Sequence, residues 1–189
     1  MVKLATQLVQ GTNGTDDQNT GAVVPPLYLS TAFRHPGLGQ STGYDYSRLT
    51  TPTRALLEKQ LATIEHGTHA FAVSSGMAAI DLVFSAFTKT GDHFIASDDL
   101  YGGAFRYFDE RAERYQIPYD TWDGVDVDAL LLAIQPNTRL IWLETPSNPT
   151  MKVIDIEAVS SAVHAVRPDI LIAVDNTFLT PVYQQPLTL

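Results

Sequence analysis

The segment Arg139–Asp175, RLIWLETPSNPTMKVIDIEAVSSAVHAVRPDILIAVD, contains the pattern on which the predicted fold depends. Its apolar runs at 139–144 and 169–175 have the length and composition of buried strands. Between them, a proline-rich loop leads into IEAVSSAVHAV, which has the apolar spacing of a helix. A strand, a helix and a second strand in this order favour a parallel sheet.

The same alternation extends towards the amino terminus. The runs 69–73, HAFAV, and 93–97, HFIAS, are further predicted strands, and a possible strand lies near Ile117. A helix begins at Pro52, because proline suits the first helical turn. The other predicted helices contain SGMAAIDLVFSAFT, FRYFDERAERY and VDALLLAI. We therefore predict an α/β fold with a mostly parallel sheet and helices on both faces.

Residues 1–50 have a different character. Glycine and proline are dense there, as at Gly11, Gly14 and Gly21, which is typical of loops or an extended arm. The stretch VVPPLYLSTAF is too apolar for a free tail, so we expect the arm to lie on another protein surface. Residues 51–189 then form part of the α/β domain.

Composition excludes several classes of protein. The 189 residues carry a formal net charge of −9 and no basic cluster, which argues against a nucleic-acid partner. The absence of cysteine excludes disulfides, Cys-ligated zinc and a cysteine nucleophile. Only the pair His66 and His69, three residues apart, has a spacing that suggests zinc. No carboxylate cluster accompanies this pair, so we predict no metal site. Without a signal peptide or a membrane-length apolar run, we expect a cytoplasmic protein with no membrane partner.

Polar residues follow the predicted strands at the edge where parallel sheets bind ligands. Ser75, Gly76 and Met77 open a helix, and free N–H groups at a helix N-terminus attract an anion such as a phosphate. Taken alone, the serine equally suits an ordinary N-cap. Neither Gly-Lys-Ser/Thr nor GxGxxG occurs, so any phosphate bound here is a single small one.

Tyr101 and Arg106 follow the strand at 93–97. With Gly102 and Gly103 beside it, the tyrosine ring could lie flat over a planar ligand, although packing on the sheet edge explains it equally well. Arg106 could bind a substrate carboxylate, or it could be a surface arginine among acidic neighbours.

Asn148 follows the strand at 139–144, and Asp175 ends the strand at 169–175. Asn148 lies between two prolines that could aim its amide at a ligand, although Asn and Pro also favour plain turns. Burying the Asp175 carboxylate costs several kcal/mol, roughly, unless a positive group meets it. A pyridine nitrogen facing Asp175 would be held protonated, whereas a loop or capping acid is the simpler interpretation.

Seven stretches together resemble one family. The chain is similar to the Cys/Met-metabolism enzymes that depend on pyridoxal 5′-phosphate (PLP), a fold-type I group with an aspartate-aminotransferase-like fold. This group contains cystathionine γ-synthase and the cystathionine and methionine lyases. The matching stretches occur in the family's order: VVPPLYLSTAF, YDYSRLTTPTR, SSGMAAI, DDLYGGAFRYF, ETPSNPT, KVIDIEAV and VDNTFLTPVYQQPL.

The resemblance implies a role for each matching site residue. It gives Ser75, Gly76 and Met77 to the cofactor phosphate, and it makes Tyr101 the catalytic ring stacked on the pyridine, beside the substrate. Arg106 falls in the substrate area. The remaining implied roles are Asn148 at the ring hydroxyl region, Asp175 as partner of the pyridinium, Thr177 in its support, and Tyr46 and Arg48 at a neighbouring subunit's phosphate. Leu49-Thr50-Thr51 departs from the commoner Ser-Gly-Asn-Pro form of the family, which puts the local turn in question.

The resemblance also implies an activity. We predict γ-replacement on an O-acylhomoserine with cysteine to give cystathionine, as in cystathionine γ-synthase, with cystathionine γ-lyase or β-lyase as the alternative. Gly103 stands where methionine γ-lyases carry a cysteine, which argues against that activity. We expect a homotetramer built as a dimer of dimers.

The family's Schiff-base lysine lies downstream of the aspartate in a Ser/Thr-Lys context, and no lysine here matches it. We therefore expect an N-terminal fragment of a longer enzyme, without that lysine and without the smaller C-terminal domain. The alternative from another class is a non-catalytic, lysine-less binding or assembly module.

Overall fold

The computed structural model describes residues 3–10 and 20–189, and the chain divides into two compact units, Met1–Ala72 and Val73–Leu189. Residues 1–2 and 11–19 of the predicted arm, with Gly11 and Gly14, lie outside the described residues. The assignment of residues 1–50 to an arm that contacts another subunit stays a prediction.

The first unit contains two helices in its described part. Helix α1 (Leu4–Gln10) was not predicted, since the whole arm was expected to be irregular. A seven-residue helix is marginal alone and depends on tertiary contacts. Here the side-chain amide of Gln60 donates hydrogen bonds to the carbonyl oxygens of Gln7 (3.2 Å) and Leu8 (3.5 Å), which ties α1 to the next helix.

Helix α2 (Pro52–Ile64) begins at the predicted residue. Thr51 caps it by accepting a hydrogen bond from the Arg54 N–H at 3.2 Å, and Pro52 occupies the first turn, where its missing N–H costs nothing. The cap therefore lies within the stretch Leu49-Thr50-Thr51 that departs from the commoner family form.

The second unit is built on a four-stranded sheet in which every neighbouring pair is parallel, in the order β2-β1-β3-β4. The strands are β1 (His93–Ser97), β2 (Tyr119–Trp122), β3 (Thr138–Glu144) and β4 (Leu171–Asp175). The helices are α3 (Gly76–Phe87), α4 (Gly102–Tyr115), α5 (Val127–Ala133), α6 (Ile156–Val166) and α7 (Thr180–Tyr183), with a final 3₁₀ turn at Pro186–Thr188. These bounds confirm the predicted elements from residue 75 to residue 175, and the strand expected near Ile117 begins two residues later.

Side chains alternate along the central strands and create two cores. Phe94 of β1 and Leu140 of β3 lie in one cluster, with Phe84 and Phe108 from α3 and α4. The opposite face has a second cluster with buried residues from β1, β3, α5 and α6: Ile95, Ile141, Leu143, Leu130, Val159 and Val163. Because period-two alternation sends neighbouring residues to opposite faces, both faces are apolar and both carry helices, as predicted.

The predicted strand at 69–73 is wrong. No described segment pairs with it, and Phe71 is 72% exposed. The Ala72 N–H instead donates a hydrogen bond to the Glu58 carboxylate at 3.0 Å. An apolar run becomes a strand only where a neighbouring strand accepts and donates its backbone hydrogen bonds, and composition alone does not supply that neighbour.

The strand order fixes where the carboxyl ends of the strands can enclose a ligand. Strand β1 is followed by β2 on one side, whereas β3 and β4 lie on its other side. In open parallel sheets the crevice outside such a reversal of order is the usual ligand site. Within the described residues, no helix is both long enough and apolar enough to cross a membrane.

Candidate active site

A cavity of about 390 Å³ lies in the second unit, beyond the carboxyl ends of β1, β3 and β4. Its volume is in the range of small-molecule sites. The lining residues are Ser75, Gly76, Met77, Ile80, Tyr101, Glu144, Pro146, Asn148, Asp175, Thr177 and Phe178. Seven of the predicted site residues are therefore brought together around one space.

The N-terminus of α3 provides one wall of the cavity. The Ser75 hydroxyl oxygen accepts a hydrogen bond from the Ala78 N–H at 3.1 Å, so the predicted alternative of an N-cap is present. The N–H groups of Gly76 and Met77 have no hydrogen-bond partner in the described part of the chain. A β-carbon on Gly76 would meet no atom within 4 Å. Capping and anion binding are thus compatible, because the cap leaves two donors free at the positive end of the helix.

Tyr101 provides a second wall, just before α4. Its side chain is 46% exposed and lines the cavity. A β-carbon on Gly103 would lie 2.3 Å from Cε1 of the Tyr101 ring and 2.9 Å from Sδ of Met77. The ring therefore occupies space that only a glycine at position 103 leaves open.

The loop that follows β3 carries Asn148 to the cavity. The Asp99 carboxylate, in the loop after β1, accepts hydrogen bonds from the hydroxyl groups of Ser147 and Thr150 and from the Thr150 N–H (3.0 Å). Burial would raise the pKa of Asp99, but these hydrogen bonds outweigh it and hold that pKa below its usual value. The Lys152 ammonium lies 2.6 Å from the Asp98 carboxylate. Asp98 and Asp99, in the loop after β1, therefore both hold the loop after β3 in place.

The backbone and the side chain of Asn148 differ in their hydrogen bonding. Its backbone N–H is hydrogen-bonded, whereas its side-chain amide has no hydrogen bond among the described residues and lines the cavity. The peptide bonds Thr145–Pro146 and Asn148–Pro149 on either side are both cis.

Glu144, the last residue of β3, was missed by the sequence reasoning. It is only 4% exposed, and its carboxylate accepts hydrogen bonds from the backbone N–H groups of Tyr101 and Asn148. Burial raises the pKa of this carboxyl group, and the nearby Asp175 and Asp99 carboxylates raise it further against the opposing effect of the two N–H groups. The signal was available, because an acid that ends an apolar strand was the argument used for Asp175.

Asp175 ends β4 and is paired in register with Glu144 on the neighbouring strand. It is half-buried, and its Oδ1 accepts hydrogen bonds from the N–H (3.0 Å) and the hydroxyl (2.5 Å) of Thr177. No lysine, arginine or histidine of the described ranges forms an ion pair with it. The expected contact with Thr177 is present, and the carboxylate retains an oxygen for a cation in the cavity.

Three predicted residues are not among those that line the cavity. Tyr46 and Arg48 belong to the first unit, where Tyr46 pairs with Ala32 in an antiparallel bridge and the Arg48 guanidinium carbon lies 4.8 Å from the centre of the Tyr46 ring. The carbonyl oxygen of Tyr46 accepts hydrogen bonds from the N–H groups of Leu49 and Thr50, so a turn closes after Arg48. Arg106 is exposed on α4 with Nη1 beside Gly102. Their roles stay predictions.

A family model described as Cys/Met metabolism PLP-dependent enzyme matches residues 5–189. The chain belongs to this family. The resemblance of the seven stretches is confirmed, and so are the dependence of the family on PLP and its fold class. In the described residues, no group of three His, Cys, Asp or Glu side chains could hold a metal ion.

Individual members of the Cys/Met metabolism family match almost all of the chain. The cystathionine gamma-synthase/O-acetylhomoserine (thiol)-lyase of Bacillus subtilis (strain 168) is 46% identical over 97% of this chain and 48% of that protein. The cystathionine beta-lyase of Lactococcus lactis subsp. cremoris (strain MG1363) is 44% identical over 100% of this chain and 49% of that protein. The chain therefore spans about half the length of these relatives.

A solved structure in the same family supports the fold. The crystal structure of cystathionine gamma-lyase from Lactobacillus plantarum complexed with L-serine matches with a TM-score of 0.90 and 42% identity. The match covers 99% of this chain and 48% of that one. The parallel sheet described above is therefore that of a fold-type I PLP enzyme.

Proposed function

We propose that this chain supplies the PLP-binding walls of a trans-sulfuration enzyme that joins cysteine to an O-acylhomoserine to give cystathionine. The observation that carries the proposal is the arrangement of opposite charges within one cavity. Asp175 has no cationic partner among the described residues, and two free N–H groups lie at the N-terminus of α3. PLP has a phosphate for the N–H groups and a ring nitrogen for the carboxylate.

The N-terminus of α3 binds the phosphate in this proposal. The N–H groups of Gly76 and Met77 donate to its oxygens, and the Ser75 hydroxyl can donate while its oxygen still caps the helix. The absence of a side chain at Gly76 lets the phosphate approach the backbone. The helix dipole and the two donors favour the same negative charge.

Asp175, Tyr101 and Asn148 hold the ring. The Asp175 carboxylate, oriented by the N–H and hydroxyl of Thr177, keeps the ring nitrogen protonated because opposite charges stabilise each other away from water. Tyr101 stacks on the ring, and the free side-chain amide of Asn148 meets the ring hydroxyl region. With its nitrogen protonated, PLP supplies an electron sink for substrate carbanions.

Residues outside the cavity complete the proposal. Tyr46 and Arg48 reach the phosphate in a neighbouring subunit of a homo-oligomer, and we place the enzyme in the cytoplasm as a homotetramer. Arg48 is exposed and forms no ion pair in the described part, so its charge is available to a partner. Arg106, also exposed on α4 and without an ion pair in residues 3–10 and 20–189, binds a substrate carboxylate.

The proposed reaction is a replacement at Cγ. The cysteine sulfur forms a bond to Cγ of the O-acylhomoserine, the Cγ–O bond breaks, the acyl group leaves as a carboxylate, and the thiol proton is released. The 46% identity to the B. subtilis synthase and thiol-lyase supports this choice. The 44% identity to a relative named cystathionine beta-lyase makes cleavage of cystathionine the second candidate.

Both candidates can be separated with the full-length protein, meaning the complete translation product that carries these residues. We expect turnover with O-acylhomoserine and cysteine to exceed turnover of cystathionine. Dominant cleavage of cystathionine would overturn the synthase in favour of a lyase. Absence of both activities together with absence of bound PLP would favour a non-catalytic module.

The role of Asp175 is tested by Asp175→Asn. The amide keeps the shape but loses the charge, so the ring nitrogen is no longer held protonated. We expect kcat to fall about 10²-fold or more, with weaker retention of PLP measured by absorbance after gel filtration. Asp128→Asn, on the exposed face of α5, removes the same charge without touching the cavity and should leave both measurements unchanged.

A further inference from the structure

Two walls of the cavity converge on one side chain. The Tyr101 N–H lies 3.0 Å from Oε1 and 2.9 Å from Oε2 of Glu144, and the Asn148 N–H lies 2.9 Å from Oε1. Tyr101 follows β1 and Asn148 follows β3, so the carboxylate joins loops from two different strands. Neither N–H has another acceptor in the described part of the chain.

Glu144 is itself held in place. Its backbone N–H donates a hydrogen bond to the Ser97 hydroxyl at 3.2 Å, which fixes the end of β3 against the end of β1. It pairs with no lysine, arginine or histidine of the described residues. A buried acid without a cation is an unfavourable way to fill space, because an apolar side chain of similar volume would avoid its desolvation.

The arrangement suits a support for the site better than a filler. Tyr101 is the N-cap residue of α4 and forms no side-chain capping hydrogen bond, so its orientation depends on the backbone that Glu144 holds. Asn148 presents its side-chain amide to the cavity only if its backbone stays fixed. A displacement of either loop by about 1 Å is enough to lower activity strongly.

We propose that Glu144 is a positioning residue, which fixes the main chains of Tyr101 and Asn148 so that ring stacking and amide contact are set before the cofactor enters. This inference rests on the proposed function for its consequence, since PLP is the group whose binding is affected. The geometric part concerns the protein without ligand and can be tested by itself.

Two substitutions at Glu144 separate the effect of side-chain length from the effect of charge. Glu144→Gln keeps the Oε1 acceptor shared by the Asn148 and Tyr101 N–H groups, but replaces Oε2, the second acceptor of the Tyr101 N–H, by an N–H₂ group. Glu144→Asp keeps the charge but is one methylene too short for both N–H groups. We expect amide hydrogen exchange in the apo-protein to accelerate at Tyr101 alone in the glutamine variant and at both residues in the aspartate variant. The Phe105 N–H, which donates to the Tyr101 carbonyl at 3.0 Å, serves as the internal reference for folding.

Binding of PLP provides the second readout. For the full-length apo-protein, we expect the equilibrium dissociation constant for PLP to rise about tenfold in Glu144→Gln, since one charge-assisted hydrogen bond is lost. Glu113→Gln, on the exposed side of α4, is the matched control and should bind PLP as the wild type does. In a Tyr101→Ala background, Glu144→Gln should raise the dissociation constant for PLP by a smaller factor than it does alone. The reason is that part of its effect acts through the Tyr101 ring.

Distinct outcomes identify which idea fails. A wild-type protein that binds no PLP contradicts the proposed function, while accelerated exchange at Tyr101 would still support the positioning role. A wild-type protein that binds PLP normally, with unchanged exchange and unchanged affinity in both Glu144 variants, overturns the positioning role. Strictly additive changes in the free energy of PLP binding for Glu144→Gln and Tyr101→Ala would also overturn the positioning role. Glu144 would then act independently of the Tyr101 ring.

Discussion

Gly103 controls the pose of the Tyr101 ring by having no side chain. Both it and Gly102 lie in the first turn of α4, and neither has a positive φ, so any L-residue fits their backbone. The two positions differ in the space around them. A β-carbon on Gly102 would meet only Nη1 of Arg106 at 3.5 Å, whereas one on Gly103 would overlap the Tyr101 ring. The two glycines therefore form a matched pair for mutation.

Gly103→Ala should displace the Tyr101 ring while leaving the helix intact. Alanine stabilises a helix by about 0.5–1 kcal/mol relative to glycine, so the thermal midpoint should not fall far. We expect the dissociation constant for PLP to rise about tenfold because stacking is disturbed, as measured by titration of the apo-protein. Gly102→Ala makes the same change to the helix and should bind PLP normally, and equal affinities in both variants would contradict the steric argument.

The elements of the second unit were predictable from the sequence because each carries its own signal. Strands β1, β3 and β4 are apolar runs of the right length, and α3, α5 and α6 begin at the caps Ser75, Asp126 and Asp155. Those signals are local and survive in the fold. The alternation of elements also predicted which loops meet at the sheet edge.

Other elements depend on partners that a local pattern does not contain. Helix α1 is supported by Gln60 of α2, more than fifty residues away in sequence. The run 69–73 has strand composition, but no segment among residues 3–10 and 20–189 pairs with it as a strand. The position of Glu144 at the end of an apolar run was a usable signal, but only the folded loops reveal which N–H groups donate hydrogen bonds to its carboxylate.

At the opposite end of the sheet, His93 of β1 contacts side chains of β2 and β3, and we predict that it makes the stability of the fold depend on pH. Its side chain is 1% exposed, with Nδ1 2.8 Å from the Thr138 hydroxyl and Nε2 3.3 Å from the Asp120 carboxylate. Burial lowers the pKa of His93 below its usual 6.5, and Asp120 only partly opposes this. As the pH falls below about 6.5, His93 therefore binds a proton more readily in the unfolded chain than in the folded chain.

We expect the free energy of unfolding to decrease below about pH 6.5, with a slope of up to about 1.4 kcal/mol per pH unit from this group. Urea unfolding measured at intervals from about pH 7.5 to about pH 5 would reveal it. Replacing His93 by Gln should flatten this dependence. Asp120→Asn should extend the loss to lower pH, because it removes the group that raises the pKa of His93. An unchanged slope in the glutamine variant would show that another group is responsible.

At the scale of the whole molecule, the chain contributes walls of a site rather than every residue of a proposed enzyme. Its cavity brings together seven predicted residues, whereas Tyr46 and Arg48 lie in the first unit and act, in our proposal, on a neighbouring subunit. Family membership could be predicted from seven stretches in order. The homotetramer stays a prediction, because one chain does not show which exposed apolar residues contact a partner.

Mixing two inactive full-length variants tests the shared site. Arg48→Ala would remove the contact donated to the neighbour, and Asp175→Asn would damage the ring site within the same subunit. If the two residues act in different subunits, mixed dimers contain one intact site, and about a quarter of wild-type activity should return after equal mixing. No recovery beyond the separate variants would mean that one subunit supplies both residues of a site. Gel filtration would verify that the subunits exchange.

Part of the cavity wall comes from separate loops, whereas the strands beneath them contribute to both cores. The loops 98–101, 145–150 and 176–178 follow β1, β3 and β4, and each contributes at least one residue to the cavity lining. Chimaeras that exchange these loops with those of a relative would alter what is bound without cutting a strand. Such modularity offers one scaffold a route to divergent chemistries, with selection acting on short connecting segments while the framework is inherited unaltered.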